Sequence, residues 1–502
     1  MMSSMKSSVA LEWKFSQVFG ERTPGEEIEY GDIISAIDFE KKGKYLAAGD
    51  NAGRVVLFEQ TDGKDPRSWK ELEHSDYPVT WHPEYRFKTE FQSHDPEVDY
   101  MMNLEIEGKI NKVRWCATPN DSAFILSAND RTIKLWKVVD RKVKKVKEME
   151  HPSVCSENAL LSEKSFMTGE TEPSIPNGYR LEWTNKVPKK EVPPHQEALA
   201  MISRIGEAAP ARCRKVYAHA HDYNINSIST NSDGETFMSA DDLRINLWNL
   251  EISDQCFNII DMKPSNIEDL TEIITSAEFH PVYCNLLAYS STRGFIRLVD
   301  MRQSALCDQP ARILHDHEGH GSRSIFTEII ASISDMKFAR EGRHILSRDY
   351  MNIKLWDLHM EGSPVATFKI HEYLRPKLSD LYNNDAIFDK FECCVSGDGL
   401  HFASGSYSNL FRIFSLGAGS KEGITLEASK NPNRKQLPQT VKATRLLRSF
   451  TRGQSQTGHD GSSSDSNSFP CDLNSKLLHM AWHPTTNLIA CAAGNSLYLH
   501  HA

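Results

Sequence analysis

The sequence predicts an all-β protein built as a closed ring of seven repeated units, on three observations. First, a small polar turn runs into a short alternating strand seven times, in copies ending at Phe58, Trp136, Trp248, Val299, Trp356, Phe414 and His500. Second, each copy follows another alternating strand pair bounded by Gly, Pro, Asn or Asp, the usual strand and turn signals. Third, a further alternating segment, Leu11–Phe19, stands at the opposite end of the chain from the last copy. Repeated supersecondary units decide a fold before any single residue does. This pattern reads as a seven-bladed WD40-type β-propeller.

Taken in order, the clearest copies are Ser127–Trp136 and Ser239–Trp248, followed by Arg348–Asp357 and Ser404–Phe414. Gly49–Phe58, Thr292–Val299 and Gly494–His500 are degenerate versions. Ile34–Phe39 and Tyr45–Ala48 lead into the first copy, and Ile110–Trp115 and Phe124–Leu126 into the second. Ile273–Phe279 with Leu286–Tyr289, and Leu477–Trp482 with Leu488–Cys491, do the same for the fourth and seventh. Each unit thus supplies strands a, b and c, and the segment after it supplies strand d. The last blade lacks an outer strand, which Leu11–Phe19 is expected to provide, closing the ring and removing a sheet edge. The expected domain is a single propeller over 11–502, with 1–10 disordered.

The spacings between successive copies are 78, 112, 51, 57, 58 and 86 residues. A plain WD repeat needs about 40–45. Three intervals therefore carry long inserts. The first, 60–103, is rich in aromatics between Tyr77 and Phe91 and alternates, so an ordered, extended hairpin arm is expected. The second, 139–212, opens on the basic run Arg141–Lys147 and turns Ser-, Pro- and Glu-rich. The third, 417–470, contains Gly461–Ser468, almost all serine and polar residues. Both are expected to be mobile, because they bury too little apolar surface to offset their ordering entropy.

Net charge is −10 over 502 residues, which argues against a general nucleic-acid binder and suits positively charged partners. The ten cysteines show no C-x-x-C pair, so reduced thiols are expected rather than zinc or disulfides. No apolar run is long enough for a membrane span, and the first nine residues lack a secretory apolar core. The expected location is the cytoplasm, with nuclear entry left open. Catalytic motifs are missing: no phosphate-binding G-x-x-x-x-G-K-[ST], no G-x-S-x-G and no H-E-x-x-H. His315-Asp-His-Glu-Gly-His320 reads as a loop rather than a metal site, and His219 and His221 read as structural. No cofactor or metal is expected. Propellers host enzymes as well as binding modules, so the fold alone excludes nothing; the missing constellations make a binding module the better reading.

The segment Asn226–Trp248 resembles the 55 kDa B-type regulatory subunits of protein phosphatase 2A. So do Phe91–Pro96, Phe388–Cys394, Ile424–Ser429 and His479–Pro484. Phe19–Arg22 is similar to the plant branch. The resemblance covers nearly the whole chain apart from the second and third inserts. It implies a non-catalytic subunit that joins a HEAT-repeat scaffold (A) subunit and a metal-dependent catalytic (C) subunit, and that recruits and orients phosphoprotein substrates. The class-level alternative is a WD scaffold of another complex, such as a ubiquitin-ligase substrate receptor.

The resemblance also implies sites. A scaffold-gripping arm falls on Tyr77, Trp81, Tyr85, Phe87 and Phe91, whose alternative is an ordinary blade hairpin. A substrate groove falls on Asp242 and Leu270, with Tyr223, Glu105 and Glu107 nearby. Asp241, Asp242, Glu268 and Asp269 place carboxylates in neighbouring segments, which would attract basic residues flanking a phosphosite. Leu270 offers an apolar foothold for an amphipathic helix, or packs its own loop. Asp242 aligns with Asp130, six residues before each Trp, where a WD repeat keeps a structural Asp. Turn-tying and substrate contact are thus both open for it. Val98, Met101–Asn103 and Gly108 depart from the family pattern in the early-blade part of the groove.

Overall fold

The structure is a computed structural model. It describes residues 11–21, 27–61, 83–99, 104–118, 122–139, 211–304, 306–307, 309–316, 324–360, 362–416, 422–434 and 471–502. The first ten residues, Tyr77, Trp81 and residues 101–103, nearly all of the second insert and most of the third lie outside these.

Seven four-stranded antiparallel sheets form the ring among the described residues. Their innermost strands, a, are Ile34–Phe39, Lys112–Cys116, Ser227–Thr230, Ile274–Phe279, Ile333–Phe338, Cys393–Val395 and Met480–Trp482. These touch one another in cyclic order, blade 7 against blade 1 included. Each signature copy is a strand c with the turn before it, such as Ile133–Val138 and Arg244–Asn249. Lys14–Phe19 pairs antiparallel with Ser496–His501 and is strand d of blade 7, so the two ends of the chain share one sheet.

Seven apolar clusters lie one at each seam between blades. Leu46, Phe58, Leu488 and Leu499 join blades 1 and 7, and Phe237, Trp248, Leu126 and Tyr217 join blades 2 and 3. A blade in a ring packs on both faces, so its strand b is buried throughout: Tyr45–Asp50 has six buried residues in a row. That explains runs such as Leu-Ala-Ala where a one-faced sheet would alternate. Each buried Leu or Phe stabilises the fold by about 1.5–3 kcal/mol. Polar latches add register at the inner rim. The carboxylate of Asp38 accepts from the Trp115 amide at 3.2 Å, Glu278 from Phe338 at 2.7 Å and Asp335 from Cys393 at 3.0 Å, each bridging one seam. At the seam of blades 4 and 5, Gly342 (φ +76°) lies against the His280 ring, where a Cβ would sit 2.2 Å away, so only glycine fits.

The inserts differ from expectation where they are described. Tyr85–Gln92 is strand d of blade 1, paired with Arg54–Gln60, not part of a projecting arm. A small ribbon, Glu97–Asp99 with Leu104–Ile106, follows it. Ala211–Tyr217 is strand d of blade 2, so the second insert ends before Ala211. Ile424–Glu427 is strand d of blade 6, inside the stretch expected to be mobile, because Leu426 buries fully in the seam with blade 7.

Candidate substrate-recruitment face

In each antiparallel blade the b–c turn and the connection from d to the next a emerge at the same end. One face of the ring, here the upper face, therefore collects both sets of loops. All five residues of the expected groove lie on it. Glu105 and Glu107 stand on the connection between blades 1 and 2, and Tyr223 on that between blades 2 and 3. Asp242 is in the b–c turn of blade 3, and Leu270 on the connection to blade 4. They form an arc over blades 2 to 4, joined through the backbone: Ile225 N–H donates to the Asp130 carbonyl and Ile274 N–H to the Asp242 carbonyl.

Glu105, Glu107 and Tyr223 are exposed; Glu107 accepts from the Tyr30 hydroxyl at 3.1 Å. Leu270 is half-buried and caps the single turn Ile267–Asp269, whose Ile267 is exposed. The carboxyl of Asp242 is half-buried. Burial lifts it above the ordinary range; Lys390 opposes this, Asp241 adds to it, and a hydrogen bond from Asn226 opposes it.

The turn-tying role considered for Asp242 belongs to Asp241. Its Oδ1 accepts from the amides of Leu243 and Arg244, and its Oδ2 meets His221 Nδ1 at 2.8 Å. His221 Nε2 meets the Ser239 hydroxyl, which also receives Trp248 Nε1–H. This chain of bonds ties turn, connection and strands b and c together inside blade 3, and it gives His221 the structural role expected of it. Burial alone would raise the Asp241 carboxyl; His221 and the two amides outweigh it and hold it below the usual range. Asn129 and Asp349 cap the equivalent turns of blades 2 and 5 in the same way. The capping position is thus one residue before Asp130 and Asp242, so Asp242 has no part in closing its own turn.

The expected scaffold aromatics separate into two groups. Tyr85 is buried and donates to the Gly43 carbonyl, and Phe91 is half-buried against Trp136, with ring centroids 4.6 Å apart. Both rings serve the blade. Phe87 is 55% exposed. Across the ring, the structure adds residues that sequence reasoning missed. The connections on either side of blade 5 build a satellite core over blades 5 and 6, around Leu374, Leu381, Ile387 and Phe391. On it stand Ile325, Phe326, Tyr382 and Phe388, with successive ring centroids 5.9 and 5.8 Å apart from Phe326 through Tyr382 to Phe388, and the cation Lys390 follows. No repeat pattern marks these loops, and their aromatics are spread over some sixty residues. Among the described residues no His, Cys, Asp or Glu cluster is placed to hold a metal, and His315 stacks on Phe295.

The WD domain, G-beta repeat family matches residues 104–137 and 211–249. The chain is 58% identical over 499 residues to the beta isoform of the rice (Oryza sativa subsp. indica) 55 kDa B-type regulatory subunit of serine/threonine protein phosphatase 2A, covering 98% of this chain and 94% of the relative. It is 57% identical to the alpha isoform of Arabidopsis thaliana, covering all of this chain and 98% of the relative. The B-type regulatory subunit of protein phosphatase PP2A from Schizosaccharomyces pombe is 47% identical, covering 97% of each chain. The chain belongs to the 55 kDa B-type regulatory subunits of protein phosphatase 2A. A 55 kDa B-type subunit is a non-catalytic regulator of the phosphatase holoenzyme. The ubiquitin-ligase alternative falls with this membership.

Proposed function

We propose that this subunit joins a HEAT-repeat scaffold subunit and the catalytic subunit, and presents phosphoprotein substrates across its upper face. The observation that carries the reading is the arc of Glu105, Glu107, Tyr223, Asp242 and Leu270. It combines exposed carboxylates with apolar footholds on one rim, and Asp242 is free of the turn that Asp241 ties. Basic residues flanking a phosphosite suit the acids, and an amphipathic segment suits Leu270 and Ile267. Selectivity then resides in this chain, while bond cleavage and its metals reside in the partner. For the scaffold, Phe87 is the described aromatic that supports a contact, alongside Tyr77 and Trp81; Tyr85 and Phe91 leave the candidate list. A cytoplasmic site of action, with nuclear entry left open, is part of this proposal; ten cysteines with no C-x-x-C pair in the sequence suit a reducing compartment.

Asp242→Lys is expected to raise KM for a basic-flanked phosphoprotein by about ten-fold, as loss of a close charge contact does, with kcat and assembly unchanged. Steady-state kinetics of the assembled trimer checks this. An unchanged KM removes Asp242 from the groove.

A further inference from the structure

The inner rim carries one carboxylate that does not behave like the rest. Asp38, Glu278 and Asp335 each latch the strand a of the next blade. Glu392, just before strand a of blade 6, also faces its neighbour: its Oε2 lies 3.2 Å from His479 Nδ1 of blade 7. Its Oε1, however, pairs with Lys112 Nζ of blade 2, on the far wall of the central channel, three seams away. Among the described residues this is the ion pair that spans the channel, and both side chains are largely buried, 19% and 15% exposed. It sits at the upper end, where strands a begin. Below it the channel, about 430 Å³, is lined by Asp38, Arg114, Glu278 and Lys337. Burial alone would raise the Glu392 carboxyl; Lys112 and then His479 outweigh burial and hold it well below the usual range.

Glu392 ends the segment that carries the aromatic ridge and Lys390. Other ties hold the same segment as close to Lys390, the Phe391 carbonyl accepting from the Ser334 hydroxyl at 2.7 Å and the Glu392 carbonyl from the Ser404 hydroxyl at 2.8 Å, but they run to blades 5, 6 and 7 and not across the channel. His371 at its start bonds the Tyr350 carbonyl at 2.7 Å and the Ser406 hydroxyl at 2.9 Å. Tyr407 donates to the Ala386 carbonyl at 2.7 Å and Lys476 pairs with Asp389 at 2.7 Å. Phe391 is buried, so Lys390 is exposed between a fixed Asp389 and a fixed Glu392.

We propose that Lys112 is a positioning residue for substrate recruitment: through Glu392 it bolts blade 2 to blade 6 across the channel and holds the connection that carries Phe388 and Lys390 in place opposite the acidic arc on the upper face. Lys112 itself touches no substrate. It keeps the two halves of the face, the acidic arc and the aromatic ridge, in one geometry. The inference rests on the upper face being the recruitment surface.

The test uses the full-length chain and the assembled trimer. In Lys112→Met, hydrogen exchange of the amides of residues 385–392 is expected to accelerate by about ten-fold or more, as for a segment that loses a buried tie, while blade 4 amides exchange as before. KM for the basic-flanked phosphoprotein is expected to rise about five-fold at constant kcat, the split that marks lost binding rather than lost chemistry. Lys112→Arg, which keeps the charge, restores both. The double variant Lys112→Met, Glu392→Gln leaves no orphaned charge and guards against misfolding; it is expected to show the same raised KM. Exchange of 385–392 at the wild-type rate in both variants overturns the proposal. So does a wild-type KM in both when Asp242→Lys raises it. A wild-type KM in all three variants instead sinks the recruitment face itself.

Discussion

Trp13→Ala is expected to cost the propeller about 3–5 kcal/mol, the usual penalty for emptying a buried aromatic site. Trp13 lies just before the strand that closes the ring. It is 2% exposed, with its ring edge-on to Trp482 at 5.4 Å, in the cluster that seals blades 6 and 7. The strand it leads pairs Lys14 with His501 and Phe19 with Leu497, so a weakened Trp13 site frees a whole strand edge. Phe19 also packs on Phe58 of blade 1, 4.4 Å between centroids, which carries the effect to the other seam. Urea unfolding of the purified chain measures the loss, and deletion of residues 11–19 is expected to leave an aggregating protein, because strand c of blade 7 becomes an open edge. A variant with wild-type stability contradicts the closure as described.

Arg348→Ala is expected to cost a similar amount, about 3–5 kcal/mol, for a different reason: it orphans buried polar groups instead of mainly emptying apolar space. Arg348 is fully buried in strand b of blade 5. Its guanidinium donates to the carbonyls of Asp349, Tyr350 and Asn352, and to the Ser404 hydroxyl of blade 6 at 3.0 Å. It also lies over the Phe391 ring, 5.6 Å from its centroid. Burial pushes its pKa down to about 10, so it stays charged at neutral pH with carbonyls as its main partners. Arg348→Lys keeps the charge but not the planar fork, so it is expected to recover only part of the loss. Stability within about 0.5 kcal/mol of wild type for the alanine variant, as at an inert surface site, contradicts this role. Because Phe391 and Tyr350 also belong to the satellite core, the same substitution is expected to loosen the aromatic ridge.

The ring was legible because its signal is repeated. Seven polar turns feeding seven strands marked strand c of every blade, and the strand missing from the last blade pointed to Leu11–Phe19. The outer strands were less legible where inserts precede them. Ile424–Glu427 sits in a stretch dominated by polar residues, and only the burial of Leu426 reveals it as blade. Tyr85–Gln92 looked like an arm because its aromatics alternate, but alternation is equally what a strand d needs. The five positions expected to form a groove do share one face, and the turn-tying role open for Asp242 falls one residue earlier, on Asp241. The ridge of Phe326, Tyr382 and Phe388 and the bolt of Lys112 and Glu392 carry no repeat signal, although Phe388 and Glu392 lie in the family-like segment Phe388–Cys394. The ridge joins the two connections that flank blade 5, and the bolt joins blades 2 and 6, which only ring closure brings together.

The composition and activity of the complex recovered with the tagged full-length chain from native extract test the central claim most directly. The account predicts that scaffold and catalytic subunits come down with it in equal proportion, and that phosphatase activity is present in the complex and lacking in the chain alone. Recovery of neither subunit, or hydrolysis by the isolated chain, would contradict it.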